Sequence, residues 1–289
     1  MEPRLRIGEL ARRTHVSPDV LRAWERRYGL LDPQRSDGGY RLYSGADEDR
    51  VQAMVRHLAA GVPAGEAARL VLESGEPGNA GTPWLPDLAA ELRAALDDFD
   101  DARAQAALDL VLARLSFDAA ARDVLLPYLR DVGERWERGE VSVAQEHFAS
   151  IVLRGRLLAL ARGWDRGAGP RALLACAPGE RHDLGLIVFG LALRQHGWRI
   201  TYLGPDTPVD TLRAASRELV PDVVVVTALT AVRLRPLREP LADLARGTHL
   251  LLAGAGARED FAAAVGAGRL GGDPVEAAAA LAAGAEASA

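Results

Sequence analysis

The residues best equipped for chemistry stand in one short stretch, Glu180-Arg181-His182-Asp183-Leu184-Gly185. An apolar run, Ala172 to Ala177, precedes it and a helical run, Ile187 to Gln195, follows it, so the stretch reads as a loop between a strand and a helix. Open α/β sheets bind their ligands at the carboxyl ends of strands, where such a loop lies. Glu180 has the reach to hold one imidazole nitrogen of His182 and leave the other free for a metal. Gly185 lets a bulky group approach the backbone. The same letters also describe an ordinary helix cap with a solvated His182. Cys176, inside the apolar strand, reads as a small core residue; as the single cysteine it excludes an internal disulfide and fits a reducing compartment.

A second group of residues, near the start of the chain, suits a polyanion. Ile7, Leu10 and Ala11 have helical spacing; Thr14-His15-Val16 reads as a turn; Ser17 is a natural N-cap with Pro18 at the first helical position. Val20, Leu21 and Trp24 then form an apolar stripe whose opposite face shows Arg22, Arg26 and Arg27. Two short helices with a basic second member describe a helix-turn-helix that reads a major groove. From Arg35 to Tyr43 an Asp-Gly-Gly turn between basic and aromatic arms predicts a hairpin, a wing that would set Arg35, Arg41 and Tyr43 against phosphates. Between Arg4 and Arg41 nine arginines accompany five acids, so this segment is basic within a chain of net charge −5.

The remaining elements must position these groups. Helices are expected over Asp47 to Ala60 and Pro63 to Leu72, and the Gly/Pro-rich residues 74–86 read as a linker. From Asp87 to Gly163 apolar residues recur at helical spacing in four segments, which predicts a four-helix bundle. Trp136 ends one of its helices, Leu125 to Val132 and onward, and Glu146-His147 open the next, with Gly139 between. Strand and helix patterns alternate from residue 170 onward, which implies a parallel sheet with right-handed crossovers. Thr227-Ala228-Leu229 and Gly254-Ala255-Gly256 follow two of its strands; a closing turn at Gly271-Gly272 and an Ala-rich last helix end the chain. At 289 residues the chain has room for two or three domains. No apolar run reaches the ~18 residues that span a bilayer, and the expected location is the cytoplasm.

Two resemblances follow. Ile7-Gly8-Glu9-Leu10-Ala11, Leu21 to Leu30 and Gly39-Tyr40-Arg41-Leu42-Tyr43 resemble the DNA-binding domain of MerR-type transcription regulators, which adds Ser17, Tyr28 and Tyr40 to the DNA-facing candidates. Glu180-x-His182-x-x-Gly185 resembles the signature of cobalamin-binding modules, in which the histidine replaces the vitamin's own base beneath cobalt; Asp183 joins the cofactor-facing candidates. With Trp136 and Glu146-His147 in the same order, the chain resembles CarH-type light-responsive regulators.

The resemblance implies a multidomain α and α/β protein: a winged helix-turn-helix over 1–73, the linker 74–86, a cofactor-capping bundle over 87–166 and a Rossmann-like cobalamin-binding domain over 167–289. It implies adenosylcobalamin as cofactor, with methylcobalamin the other alkyl form, and His182 as the cobalt ligand. Trp136 would pack over the adenosyl group, Glu146 would hydrogen-bond it and His147 would help close the site. Thr227, Leu229, Gly254 and Gly256 would line a channel for the nucleotide tail. It implies a dark homotetramer that represses an operator in double-stranded DNA and lets go when light breaks the cobalt–carbon bond, with no catalytic residue and no membrane partner. Glu137 departs from the family, which can carry a histidine there to trap cobalt after photolysis; His147 is the available substitute. The other readings are a corrinoid carrier or methyltransferase module, which needs no winged helix, and a regulator of this family that works without cobalamin.

Overall fold

The computed structural model describes residues 5–14, 16–35, 39–59, 62–73 and 84–286. The chain divides into two compact units, Met1–Asp87 and Leu88–Ala289. The first begins with α1 (Ile7–Thr14) and α2 (Pro18–Tyr28), then the strands β1 (Gln34–Arg35) and β2 (Arg41–Leu42), then α3 (Gly45–Ala59) and α4 (Ala64–Glu73). Local chemistry sets the ends of α2: Ser17 Oγ accepts from Val20 N, Pro18 opens the helix, and Gly29 at φ 63° closes it. The two short strands pair antiparallel, Gln34 with Leu42 and Arg35 with Arg41. The expected turn at Asp37-Gly38 and His15 in the helix-turn-helix connection lie outside the described residues, as do 74–83 of the expected linker. Leu10, Leu21, Trp24, Leu30, Tyr43 and Met54 make the core of this unit.

The linker reading ends too late. Leu85 and Pro86 already belong to α5 (Leu85–Asp97), because proline is tolerated in a first helical turn, where no backbone donor is needed. The bundle continues with α6 (Asp101–Arg114), α7 (Phe117–Ala120), a π-helical turn at Ala121–Leu125, α8 (Leu126–Glu137) and α9 (Val143–Leu160). The segment from α7 to α8 is one uninterrupted helical run that begins eight residues before the expected Leu125. The π turn inserts extra backbone into the run, so the apolar periods on its two sides are out of phase and the first half reads as a separate piece.

The second layer alternates β3 (Arg171–Cys176), α10 (Leu184–Gln195), β4 (Arg199–Gly204), α11 (Val209–Leu219), β5 (Val223–Thr227), α12 (Ala231–Leu234), α13 (Arg238–Ala245), β6 (Leu250–Ala253), α14 (Glu259–Ala264), β7 (Gly268–Arg269) and α15 (Pro274–Glu286). The strands lie in the order β4-β3-β5-β6-β7, and all are parallel. β7 is an addition to the sequence expectation; two residues are too few to show a period. Val223 to Val226 are buried on both faces. Helix α10 is buried on every side from Leu186 to Leu193, because it packs on β3 and β4 while α9 and α15 cover it. The first strand of this sheet, β3, has the second and third on opposite sides. The order in which strands are added therefore reverses between β3 and β5, and the loops after these two strands border the crevice where such sheets take ligands.

Candidate functional site

Glu180 and His182 lie in the loop after β3. Glu180 is 3% exposed. Its Oε1 accepts from the backbone amides of Arg181 and His182 at 2.9 and 3.0 Å and lies 2.6 Å from His182 Nδ1, while Oε2 accepts from Leu229 N at 2.9 Å. Leu229 follows β5, so this one carboxylate spans the crevice. Burial pushes the Glu180 carboxyl up, but the amides of His182 and Leu229 and the imidazole outweigh that and hold it below the usual carboxylate value. An ionised carboxylate can only accept, so in the neutral ring the proton sits on Nδ1 and the lone pair on Nε2. The His182 side chain is 68% exposed. An imidazole oriented by a carboxylate and open at its other nitrogen is a metal-ligand pair. One imidazole supplies one bond, whereas a bare ion takes roughly three or four protein ligands. This donor therefore suits a metal that brings its other ligands with it, and a corrin-bound cobalt meets that condition.

The loop is tied down on all sides. Gly179 N donates to Asp206 Oδ1 at 2.6 Å, and Asp206 N donates to Glu180 O at 2.8 Å. Asp183, read from the sequence as cofactor-facing, is instead 1% exposed. Arg154 Nη2 lies 2.6 Å from its Oδ1, and the Tyr202 hydroxyl donates to its Oδ2. A buried carboxylate needs such partners, and these leave Asp183 supporting the loop from beneath. Burial, then Asp183, pushes the Tyr202 hydroxyl far up. Cys176 is fully buried, as expected of a core thiol, and burial pushes it up to about 12. Arg154 and Tyr202 escaped the sequence reading because their pairing depends on which acid is buried, and no spacing announces that.

The glycine positions have a different cause from the one expected. A Cβ on Gly254, which sits at φ 86°, would come within 2.5 Å of Ala228 O, and one on Gly256 within 2.4 Å of Thr230 C. The loop after β6 thus lies directly on the loop after β5, and the protein's own backbone excludes a side chain at both places. Thr227 ends β5 and is 8% exposed. Its oxygen lies 2.9 Å from the same Gly254 Cβ position. Leu229 is 45% exposed. Around Gly185 a Cβ would meet only Pro274 Cγ, at an ordinary 3.9 Å.

In the bundle, Trp136 occupies the last turn of α8 and is 51% exposed, an informative amount for so large an apolar group. Its neighbour Arg135 is buried and forks onto Asp97 of α5, Nη2 to Oδ2 at 2.6 Å and Nη1 to Oδ1 at 3.2 Å. The Asp97 carbonyl accepts from Gln145 Nε2 at 2.9 Å. Gln145 also closes a capping box with Ser142 at the start of α9. The end of α5 therefore fixes both the turn that carries Trp136 and the turn that carries Glu146 and His147. Glu146 Oε1 accepts from Ser150 Oγ at 2.8 Å. His147 Nε2 lies 3.6 Å from Glu146 Oε2, and its side chain is 68% exposed. Glu137 is exposed at the end of α8.

In the first unit Arg22, Arg26 and Arg27 are exposed on α2, with Arg22 3.2 Å from Asp19 and Arg27 over the Tyr28 ring at 5.5 Å. Ser17 is exposed at the N-cap of the same helix. On the hairpin side Arg35 pairs across to Arg41 through the backbone, and Tyr40 is 63% exposed with Arg6 5.3 Å from its ring centroid. Arg41 Nε donates to Glu25 at 2.9 Å, and the Tyr43 hydroxyl donates to the other Glu25 oxygen at 3.0 Å. Tyr43 itself is fully buried. The expected phosphate contact at Tyr43 is thus a core residue, placed by its backbone pairing with Leu5, which turns the ring inward.

Residues 5–74 match the family model described as MerR HTH family regulatory protein, and residues 88–161 and 170–282 match two models described as B12 binding domain. The chain is 36% identical over 267 residues to the HTH-type transcriptional repressor CarH of Myxococcus xanthus, covering 88% of this chain and 89% of that one. It is 35% identical over 265 residues to the repressor CarA of the same organism, covering 90% and 89%. Among solved structures, the monomethylamine corrinoid protein of Methanosarcina barkeri aligns at TM-score 0.59 and 18% identity over 68% of this chain and 98% of that chain, a likeness of fold.

Proposed function

The chain belongs to the MerR-type regulators with B12-binding domains that include CarH and CarA, and we propose that it is a transcriptional repressor whose grip on operator DNA is set by adenosylcobalamin and light. The observation that carries the reading is the Glu180–His182 pair at the sheet crevice, in one chain with a basic winged helix-turn-helix. On this reading residues 1–73 read DNA, 87–166 would cap the cofactor and 167–289 would bind it. When bound, an alkylcobalamin supplies a weak, light-sensitive cobalt–carbon bond and a bulky upper group.

The chain's own residues then have distinct tasks. Glu180 orients the ring through Nδ1, so that Nε2 of His182 would be available to hold the metal as a neutral donor. Trp136 offers its exposed face to an upper group, Glu146 offers a carboxylate, and the Asp97–Arg135 pair keeps both in register. Arg22, Arg26 and Arg27 face the duplex and Arg41 meets its backbone. A bound state changes assembly only through a difference in affinity between assemblies, so the proposed dark tetramer must hold the Trp136 face differently from the light form. No turnover is expected at His182.

The test is to purify the full chain in darkness with adenosylcobalamin and follow absorbance, mass and operator affinity before and after green light. Retained cofactor, a fall in mass and release of the operator are expected. A chain that retains no cobalamin would overturn the reading, and retention with unchanged mass and DNA affinity on illumination would overturn its light-dependent part.

A further inference from the structure

We propose that Arg154 of α9 is the positioning residue that sets the angle at which His182 is presented, and so joins the helical cap to the histidine loop. The inference rests on reading His182 as the ligand of the cofactor. Arg154 reaches both neighbours of that histidine. Its Nη2 lies 2.6 Å from Asp183 Oδ1 and donates to the Arg181 carbonyl at 3.4 Å. Asp183 is held from the opposite side by the Tyr202 hydroxyl of β4, and its carbonyl accepts from Ile187 N at 2.9 Å to start α10. His182 is therefore the middle residue of a tripeptide whose two ends Arg154 reaches, one through its backbone and one through its side chain. The ring is fixed at the same time by Glu180. The clamp is an ion pair, desolvated on the Asp183 side, which is 1% exposed, while the Arg154 side chain is 34% exposed; removal of the arginine leaves a buried carboxylate with one neutral donor.

Arg154 lies eight residues after Glu146 on the same helix, about 12 Å along its axis at ~1.5 Å per residue. One helix thus carries Glu146 and His147 near its start and the clamp on the histidine loop further along, while Trp136 stands on α8. A shift of α9 would reach the histidine loop through Arg154.

The test uses the full chain with Arg154→Gln and Arg154→Lys, read first without cofactor by amide hydrogen exchange. In Arg154→Gln the amides of Arg181 to Leu184 are expected to exchange faster while those of β3 and β5 keep their protection. With cobalamin added, its affinity should fall about 10- to 100-fold, as for other residues that orient a metal's ligand, and its absorbance should shift toward the form without an imidazole ligand. Arg154→Lys keeps the charge but reaches fewer acceptors, and should fall between. Unchanged loop exchange in a folded Arg154→Gln chain overturns the proposal. So does loss of the whole fold in both variants, which would mark Arg154 as a general stability residue. If the unaltered chain binds no cobalamin, the ligand reading of His182 fails by itself, and the exchange result still decides whether Arg154 clamps the loop.

Discussion

At the scale of single residues, Glu180→Gln is the most direct probe of the crevice. The amide can still accept from Leu229 N, but it no longer supplies a charge to His182 Nδ1. Cobalamin affinity should drop about 10- to 100-fold, measured by spectral titration, with the fold intact by circular dichroism. Tyr43 offers a probe of the other unit. Burial first, then the hydrogen bond to Glu25, pushes its hydroxyl up to about 12 from 10.0. A raised value means that the unfolded chain loses this proton first as pH climbs, so the stabilisation is complete below pH 10 and declines between 10 and 12. Alkaline titration of tyrosinate absorbance should show one late-titrating tyrosine fewer in Tyr43→Phe. These two residues also show what the letters can carry. Glu180 and His182 are two apart on a loop, and proximity in sequence enforces proximity in space. Tyr43 has the same letter whether it faces phosphate or core, and its bridge to Leu5, 38 positions away, decides which.

At the scale of elements, the start of α9 and the end of α8 depend on one acid, Asp97. Arg135→Ala should cost about 3 kcal/mol, read by urea unfolding, and should raise the mobility of the indole at Trp136, read by fluorescence anisotropy. Ser17→Ala removes the cap of α2 and should cost about 1 kcal/mol, with the DNA-reading unit melting first. The elements themselves were largely written in the sequence: the Ser17-Pro18 start, the strand of four valines and the alternation of strands and helices all obey local rules. The Asp97–Arg135 pair obeys none, because 38 residues separate its members and only the packing of α5 against α8 brings them together. Gly254 and Gly256 were found as letters but their reason was hidden, since a loop's need for glycine comes from whatever lies on it.

At the scale of the whole molecule, the net charge of −5 leaves DNA binding to the basic first unit, so its salt dependence should count that unit's phosphate contacts. Arg41→Ala should weaken binding to all duplexes alike and flatten the salt slope by about 1, measured by fluorescence titration across salt. The order of the units was legible because each carries its own motif. The inner end of the linker was not, because Leu85 and Pro86 look like loop until a helix is built on them. The π-helical turn at Ala121–Leu125 has a further consequence. In a helix each residue advances the face by about 100°. Deleting one residue from this turn would keep every side chain named here yet rotate α8, swinging the indole of Trp136 about a quarter-turn around its axis. On the proposed function, chain length between Ser116 and Leu126 would itself be a determinant of sensing, inherited as a reading frame, and a one-residue gap there should silence the proposed response while leaving Glu180, His182 and the DNA reader untouched.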